Sequence, residues 1–479
     1  MTSENIRTYD VIVIGAGPVG ENVADRTTAA GLSTVLVESE LVGGECSYWA
    51  CEPSKALLRP AILRADAMHV PGIDPAVKNP LDVEAVLAHR DRMAAEWKDD
   101  DQVQWVKSAG IDLLRGHGRL AGEREVSVET PDGATVRLRA RHAVAVCTGS
   151  SAVLPPLPGV ENLKPWTSRE ATSAGKPPGR LAVVGAGVVG VEMATAWQAL
   201  GSKVTLLARE EGLLPRMEPF AGELVAERLR EAGADVRLNV SVVAAGRGGD
   251  GVIRIALSDG GEVEADEILF AIGRGPRSKD IGLDTVGLVP GDWLATDDSL
   301  TVTAVPGGWL YAVGDVNRRA LFTHQGKYQA RIAGAVIVAR ARGERLETGR
   351  WTPHGATADG EAVPGVVFTD PELASVGLTT REAERTGGDV DVVDYEMGHL
   401  AGALQYRPDY RGRARILIDR DRQVVVGATF AGPGVGELLY SATVAITGEV
   451  PVERLWHAVP AFPTISEVWL RLLETWRDS

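Results

Sequence analysis

Cys46 and Cys51 stand five residues apart in the segment Gly43-GECSYWACEPSK, and Lys55 follows one helical turn later. Paired thiols are suited to reversible disulfide chemistry, in which a thiolate is the attacking group. Five residues of a regular helix rise about 7.5 Å, whereas a disulfide needs Cα atoms roughly 4.4–6.8 Å apart. If the two sulfurs bond, the helix must therefore be distorted at its first turn. A helix N-terminus stabilises thiolates. Lys55 falls on the same helix face as Cys51 and adds a positive charge that favours the thiolate. The competing possibility is a pair of buried, inert cysteines. Cys147 lies in an apolar strand and is expected only to pack.

Two stretches repeat the pattern of apolar strand, glycine turn, helix and second apolar strand. The first is Tyr9-Asp10-VIVIGAGPVG with Ser33-TVLVE; the second is Leu181-AVVGAGVVG with Lys203-VTLLA. Each predicts a βαβ dinucleotide site. In the first, Gly15, Gly17 and Gly20 form G-x-G-x-x-G. They permit a tight turn, approach of a pyrophosphate to the backbone, and close packing of helix on strand. The phosphate would sit on the helix N-terminus, and Glu38 at the end of the second strand would accept the ribose hydroxyls. In the second, Gly185, Gly187 and Gly190 repeat the spacing. The offset that leads from Gly15 to Glu38 leads from Gly185 to Ala208, so the acid is missing and Arg209 follows at once. A guanidinium there suits a 2′-phosphate, with Arg216 assisting, and this favours NADPH over NADH. A solvated Arg209, with Glu210 or Glu211 taking the ribose, would instead permit NADH. Two such sites imply one flavin dinucleotide and one nicotinamide dinucleotide, with hydride passing from the second to the first.

Helical stretches fill roughly residues 53 to 110, and strand-like segments run on to Ala143-VAVCTGS. Domain crossings are expected at the proline-rich Leu154-PPLPG and near Gly273-RGPRS. A long helix is predicted over Lys327 to Ala341. From about Trp351, strand-like segments such as Pro364-GVVFTD and Arg415-ILID alternate with helices such as Gly436 to Thr447. The fold class is therefore α/β: two Rossmann-like dinucleotide-binding domains, for FAD and NAD(P), plus a C-terminal α+β dimerisation domain. The expected boundaries are 1–153 for the first part of the FAD domain, 154–275 for the NAD(P) domain, 276–348 for the second FAD part and 349–479 for the interface domain. With 479 residues the chain can build such cores. A net charge of -15 argues against a nucleic-acid partner. No signal peptide or membrane-spanning run is read, so a cytoplasmic location is expected. Three cysteines do not make a secreted disulfide scaffold, and no metal site is expected.

These motifs, with Tyr311-AVGDV, Val367-FTDPELASVGLT and a terminal FPTISE, resemble the class I pyridine nucleotide–disulfide oxidoreductases, the group of glutathione reductase, dihydrolipoamide dehydrogenase and mercuric reductase. The resemblance covers nearly the whole chain in the family's order. It implies a homodimer and a small-molecule substrate. It makes Cys51 the flavin-proximal, charge-transfer cysteine and Cys46 the interchange cysteine that attacks the substrate. Lys55 would stand near flavin N5, paired with Glu192. Asp315, after Gly314, would bind the ribityl chain, and Thr148 and Gly149 would lie along the FAD. The segment after Phe322, from Thr323, would start a helix whose N-terminus faces the flavin pyrimidine. Pro18, Gly44 and Gly273 complete the cofactor positions.

Disulfide-reducing members carry a His-Pro-Thr segment whose histidine serves the interchange thiol. Here the position is Phe462, and a phenyl ring moves no proton. Glu467 remains; with Thr464 it fits a capping box at the start of the terminal helix, a structural role preferred to catalysis, and His457 upstream is expected to be an ordinary loop or helix residue. Glu45 and Glu52 replace the usual threonine and aliphatic residue, and Tyr48 and Trp49 either shape access to Cys46 or pack in the core. The chain shows no terminal cysteine pair of the mercuric reductase kind. A phenylalanine at this position also occurs in the ketopropyl–coenzyme M carboxylase branch, where a histidine stands at the place of Glu467. The leading expectation is an NADPH-dependent FAD disulfide reductase. The alternatives are a flavin reductase of quinones, metal ions or dioxygen, and a redox sensor without turnover.

Overall fold

Four consecutive apolar residues, Val11 to Ile14, are fully buried at the end of strand Arg7–Ile14. A continuous apolar run is what a parallel strand needs when both of its faces are covered. In this computed structural model, which describes residues 6–479, Val11 and Val13 face one apolar cluster with Ala24, Ala330 and Val336, while Ile12 and Ile14 face another with Val35, Val144 and Leu310. The strand pairs in parallel with Thr34–Glu38 and Thr135–Val146. Asp112–Arg115 and Leu310–Ala312 extend the parallel part, and the antiparallel strands Glu125–Glu129 and His117–Leu120 complete the sheet. Helix Pro18–Ala29 packs on helix Thr323–Ala341. Gly326 and Gly334 allow this close approach, because a Cβ there would stand 2.5 Å from a Val19 methyl and 2.7 Å from the Arg26 Cβ. These elements form one compact unit, made of residues 6–52, Ala94–Ser151 and Arg274–Gly360.

The second unit comprises Pro53–Met93, Ala152–Gly273 and Glu361–Ser479. The chain changes unit after Glu52, Met93, Ser151, Gly273 and Gly360. Its first sheet is parallel, in the order Asp235–Arg237, Lys203–Leu207, Arg180–Val184, Glu267–Phe270. Leu181 and Val183 face a core around the fully buried Trp197, and Ala182 faces the opposite cluster with Ile255 and Phe270. A three-stranded antiparallel sheet, Val242–Arg247, Ile253–Leu257 and Glu262–Ala265, follows. The C-terminal part is a five-stranded antiparallel sheet in the order Gly365–Val367, Leu373–Gly377, Val424–Ala431, Arg413–Asp419, Val390–Glu396. Helices Leu439–Thr447 and Val468–Arg477 pack on it.

Three local expectations are corrected. The long helix begins at Thr323, directly after Phe322 as the resemblance implied and four residues before the Lys327 start read from periodicity; His324, Gln325 and Gly326 interrupt the apolar periodicity there. The stretch from Gly436 to Thr447 is a 3-10 turn, Val435–Leu438, followed by the helix Leu439–Thr447. Cys147 lies just beyond its strand, and its backbone carbonyl forms part of the first glycine turn.

The two glycine turns are built alike. Gly15 (φ +102°) and Gly185 (φ +129°) occupy backbone space that favours glycine, and a Cβ would fall 2.5 Å from the Cys147 carbonyl oxygen and 2.4 Å from that of Ala271. At Gly20 and Gly190 a Cβ would come within 1.8 Å and 2.2 Å of the carbonyl oxygens of Gly15 and Gly185. At Gly187 a Cβ would meet nothing within 4 Å. Gly190→Ala is therefore expected to cost about 1–3 kcal/mol of stability by overpacking. Gly187→Ala should leave the unfolding temperature unchanged and weaken nicotinamide dinucleotide binding. Calorimetry paired with dinucleotide titration checks this, and equal destabilisation by both variants would contradict it.

Candidate active site

The cysteine segment leaves regular helix between the two sulfurs. Gly43 (φ +110°) turns the chain in the left-handed region and starts the short helix Gly44–Tyr48, which carries Cys46. Trp49 (φ −138°, ψ 4°) ends it, and Cys51 opens the helix Cys51–Ala67. Both cysteines are free thiols, hydrogen-bonded to each other. The Cys51 sulfur also lies 3.5 Å from the Thr323 hydroxyl at the start of the long helix. The hydrogen bond to Cys51, together with burial, holds the Cys46 thiol far above the usual thiol range, and the Thr323 hydroxyl pulls it back down. Tyr48 is a packing residue: its ring is 1 % exposed, its hydroxyl donates to the Val42 carbonyl at 2.8 Å, and its carbonyl accepts from the Trp97 indole at 3.0 Å. The half-buried Trp49 ring meets it edge-on.

Cys46 also lines a cleft of about 200 Å³ in the first unit. Gly15, Gly17, Pro18, Glu38, Gly44, Thr148, Gly149, Asp315 and Thr323 line it as well. Gly17 caps helix Pro18–Ala29 with no side-chain bond, so the first N–H groups of the helix remain available to an anion. A Cβ at Gly17 would find its nearest neighbour, Gly44 Cα, only at 3.9 Å, which leaves room for a phosphate. Glu38 is fixed at the strand end by the N–H groups of Ala16 and Glu40, each at 2.7 Å. Gly314 carries a positive φ against Val19, and Phe322 caps the long helix, its ring stacked on His324. The buried Thr148 hydroxyl lacks a partner among the described residues. Burial pushes the Asp315 carboxyl up, and Ser150 donates to it at 2.5 Å. Open helix N-terminus, oriented carboxylate and orphaned hydroxyl together fit a flavin dinucleotide.

Two residues of this cleft escape a reading of the sequence. Arg274 donates to the Ser150 hydroxyl at 2.6 Å and to its carbonyl at 2.7 Å. Arg277 donates to Glu45 at 2.5 Å. The signal lay in the Gly273-RGPRS segment, where the glycine and proline suggested only a crossing.

In the second unit, Ala208 is buried at the strand end where Glu38 stands in the first copy. Arg209 is 78 % exposed and paired with Glu210 at 2.9 Å; Arg216 and Gly273 are exposed. Lys55 Nζ lies 2.8 Å from the buried Glu192 carboxylate, whose other oxygen accepts from the Phe368 N–H at 3.0 Å. The Phe368 ring supports the ammonium at 5.0 Å; this contact too comes from tertiary structure alone. Phe462 is 75 % exposed, and so are Val459 (86 %) and Tyr440 (76 %). The capping box does not form. The Thr464 hydroxyl donates to the Ala461 carbonyl instead, and Glu467 is buried with one oxygen taken by Arg471 at 2.6 Å, its neighbour one turn on. An ion pair within the terminal helix outcompetes the backbone cap. His457 is exposed. Among the described residues no group of three His, Cys, Asp or Glu side chains is placed to hold a metal, and no helix is long and apolar enough to cross a membrane.

Comparison with known proteins agrees with this architecture. Residues 9–339 match the family model of pyridine nucleotide-disulphide oxidoreductases, and residues 363–472 match the dimerisation domain of the same family. The chain is 33 % identical over 475 residues to dihydrolipoyl dehydrogenase 3 of Pseudomonas aeruginosa, covering 96 % of each chain. It is 32 % identical over 469 residues to the dihydrolipoyl dehydrogenase of Thermus scotoductus, again covering 96 % of each. Among solved structures, the HOCl-induced flavoprotein disulfide reductase RclA of Escherichia coli, in a Cu(II) complex, superimposes with a TM-score of 0.83 at 23 % identity over 98 % of this chain and 99 % of that one. LpdA of Mycobacterium tuberculosis gives 0.82 at 24 % identity over the same shares. With its glycine turns, cysteine segment and dimerisation domain, the chain belongs to the pyridine nucleotide-disulphide oxidoreductases, enzymes that contain FAD and depend on NAD(P)H.

Proposed function

We propose that this enzyme uses NADPH to reduce a disulfide substrate, with Cys46 and Cys51 as the exchanging sulfurs. The observation that carries the proposal is the hydrogen-bonded thiol pair, with Cys46 on the wall of the FAD cleft. Relatives named for dihydrolipoyl oxidation and a fold neighbour named as a disulfide reductase support thiol–disulfide chemistry. Residues 1–153 and 276–348 would bind FAD, residues 154–275 would bind NADPH, and residues 349–479 would join two copies as a homodimer.

FAD, when bound, supplies the two-electron link between the nicotinamide and the sulfurs. The protein supplies position and proton control. Gly15, Gly17, Gly20 and the bare start of helix Pro18–Ala29 hold the pyrophosphate, Glu38 the ribose, and Thr148 and Asp315 the chain between. Glu192 holds Lys55 on the helix that Cys51 opens, one turn beyond it. In the reduced pair, Cys46 gives up its thiol proton to solvent and attacks one sulfur of the substrate; the expelled sulfur takes up a proton from solvent and leaves as a thiol. Cys51 then displaces the second substrate sulfur, leaving a Cys46–Cys51 disulfide. The substrate gains two electrons and two protons, and the cysteines lose them. Thr323 orients both sulfurs during the exchange. Phe462 offers no proton to the leaving thiol, so turnover with small disulfides is slow.

Phe462 also favours a second reading, in which electrons leave from the flavin to a quinone, a metal ion or dioxygen and need no thiol base. Cys46→Ser is expected to lower disulfide turnover by about 10³-fold or more while NADPH still bleaches the flavin. Unaffected turnover would reject the proposal, and quinone reduction that survives loss of both cysteines would establish the second reading. Arg209→Ala should lower kcat/KM for NADPH by about tenfold and leave that for NADH nearly unchanged. An equal loss with both dinucleotides would remove Arg209 from coenzyme selection.

A further inference from the structure

Glu45 and Arg277 meet on the wall of the FAD cleft, and neither has a part in the chemistry above. Arg277 Nη2 donates to Glu45 Oε1 at 2.5 Å, and its Nη1 stands 3.5 Å from Glu40 Oε2. The backbone N–H of Arg277 donates to the Gly149 carbonyl at 3.0 Å, so the residue is held at both ends. The Glu45 side chain is 19 % exposed and immediately precedes Cys46; that of Glu40 is 46 % exposed. Glu45 also helps to push up the carboxyl of Asp315, across the same cleft.

A dinucleotide brings two phosphate charges into this cleft. A poorly hydrated carboxylate on the wall opposes them, because repulsion strengthens as water is excluded. Glu40, being more exposed, is screened by solvent and salt. Glu38 is satisfied by two backbone N–H groups and Asp315 by the Ser150 hydroxyl, whereas Glu45 is met by a guanidinium, so Glu45 is the wall carboxylate whose charge is balanced by a cation. We propose that Arg277 is an FAD-retention residue that acts by cancelling the charge of Glu45, so that the cleft accepts the anionic cofactor. The proposal rests on FAD occupying this cleft. It assigns Arg277 a charge-balancing role, distinct from the structural role of an ordinary half-buried ion pair. An ordinary pair would lose stability whichever partner is removed. A charge-balancing pair is asymmetric: removing the cation leaves an uncompensated anion facing the phosphates, whereas removing the anion leaves a cation that attracts them.

The test measures the FAD dissociation constant of the apoprotein by flavin fluorescence at low salt, with the apoprotein unfolding temperature followed alongside. Arg277→Ala is expected to bind FAD about tenfold or more weakly. Glu45→Gln should bind at least as tightly as wild type, and Glu45→Gln/Arg277→Ala should recover most of the loss. Should Arg277→Ala fail to fold, Arg277→Gln is measured in its place, alone and with Glu45→Gln. An arginine variant that binds FAD like wild type overturns the proposal, and so does a double variant as weak as the arginine variant alone. A wild-type protein that takes up no FAD would instead overturn the assignment of the cleft.

Discussion

Along a continuous helix, Cys46 and Cys51 would be separated by about 7.5 Å of axial rise, beyond direct contact between their sulfurs. The backbone departs from helix at Trp49 and resumes it at Cys51, and the two thiols share a hydrogen bond across that interruption. Tyr48 anchors the interruption. Its ring is buried, its hydroxyl is tied to Val42, and its carbonyl is tied to the Trp97 indole. Thr323 then reaches the Cys51 sulfur from the first residue of the long helix. One break in a helix, pinned by an aromatic side chain, thus places two sulfurs and a hydroxyl within reach of each other at the cofactor cleft.

The same steric rule serves two cofactors. In each glycine turn a carbonyl oxygen occupies the space a side chain would need, Cys147 in one and Ala271 in the other. What differs is the charge at the end of the second strand. Glu38 presents a carboxylate held by two backbone N–H groups. Ala208 presents none, and the exposed Arg209 beside it is paired with Glu210. Similar backbone turns thus carry a carboxylate at one strand end and none at the other.

Much of this was legible in the sequence, because the signals are local. Glycine spacing, apolar strand runs and the cysteine segment each depend on a few neighbouring residues, and the α/β class and the family follow from them. The strain between helix geometry and disulfide geometry was also readable, and the break at Trp49 resolves it. Contacts that join distant stretches were not readable. Arg277 on Glu45, Phe368 under Lys55 and Thr323 on Cys51 bring together residues more than a hundred positions apart. The false capping box shows the converse. Thr464 and Glu467 have the correct spacing, but Arg471 lies one turn onward and offers the carboxylate a full charge, which a backbone N–H cannot match.

The central claim is that the sulfur couple and FAD form one electron store. An anaerobic reductive titration followed by absorbance tests it most directly. The account predicts uptake of about four electrons per FAD, with a long-wavelength thiolate–flavin band after the first two that disappears in Cys51→Ser. Uptake of only about two electrons, with the flavin bleached at once and no such band, would contradict it.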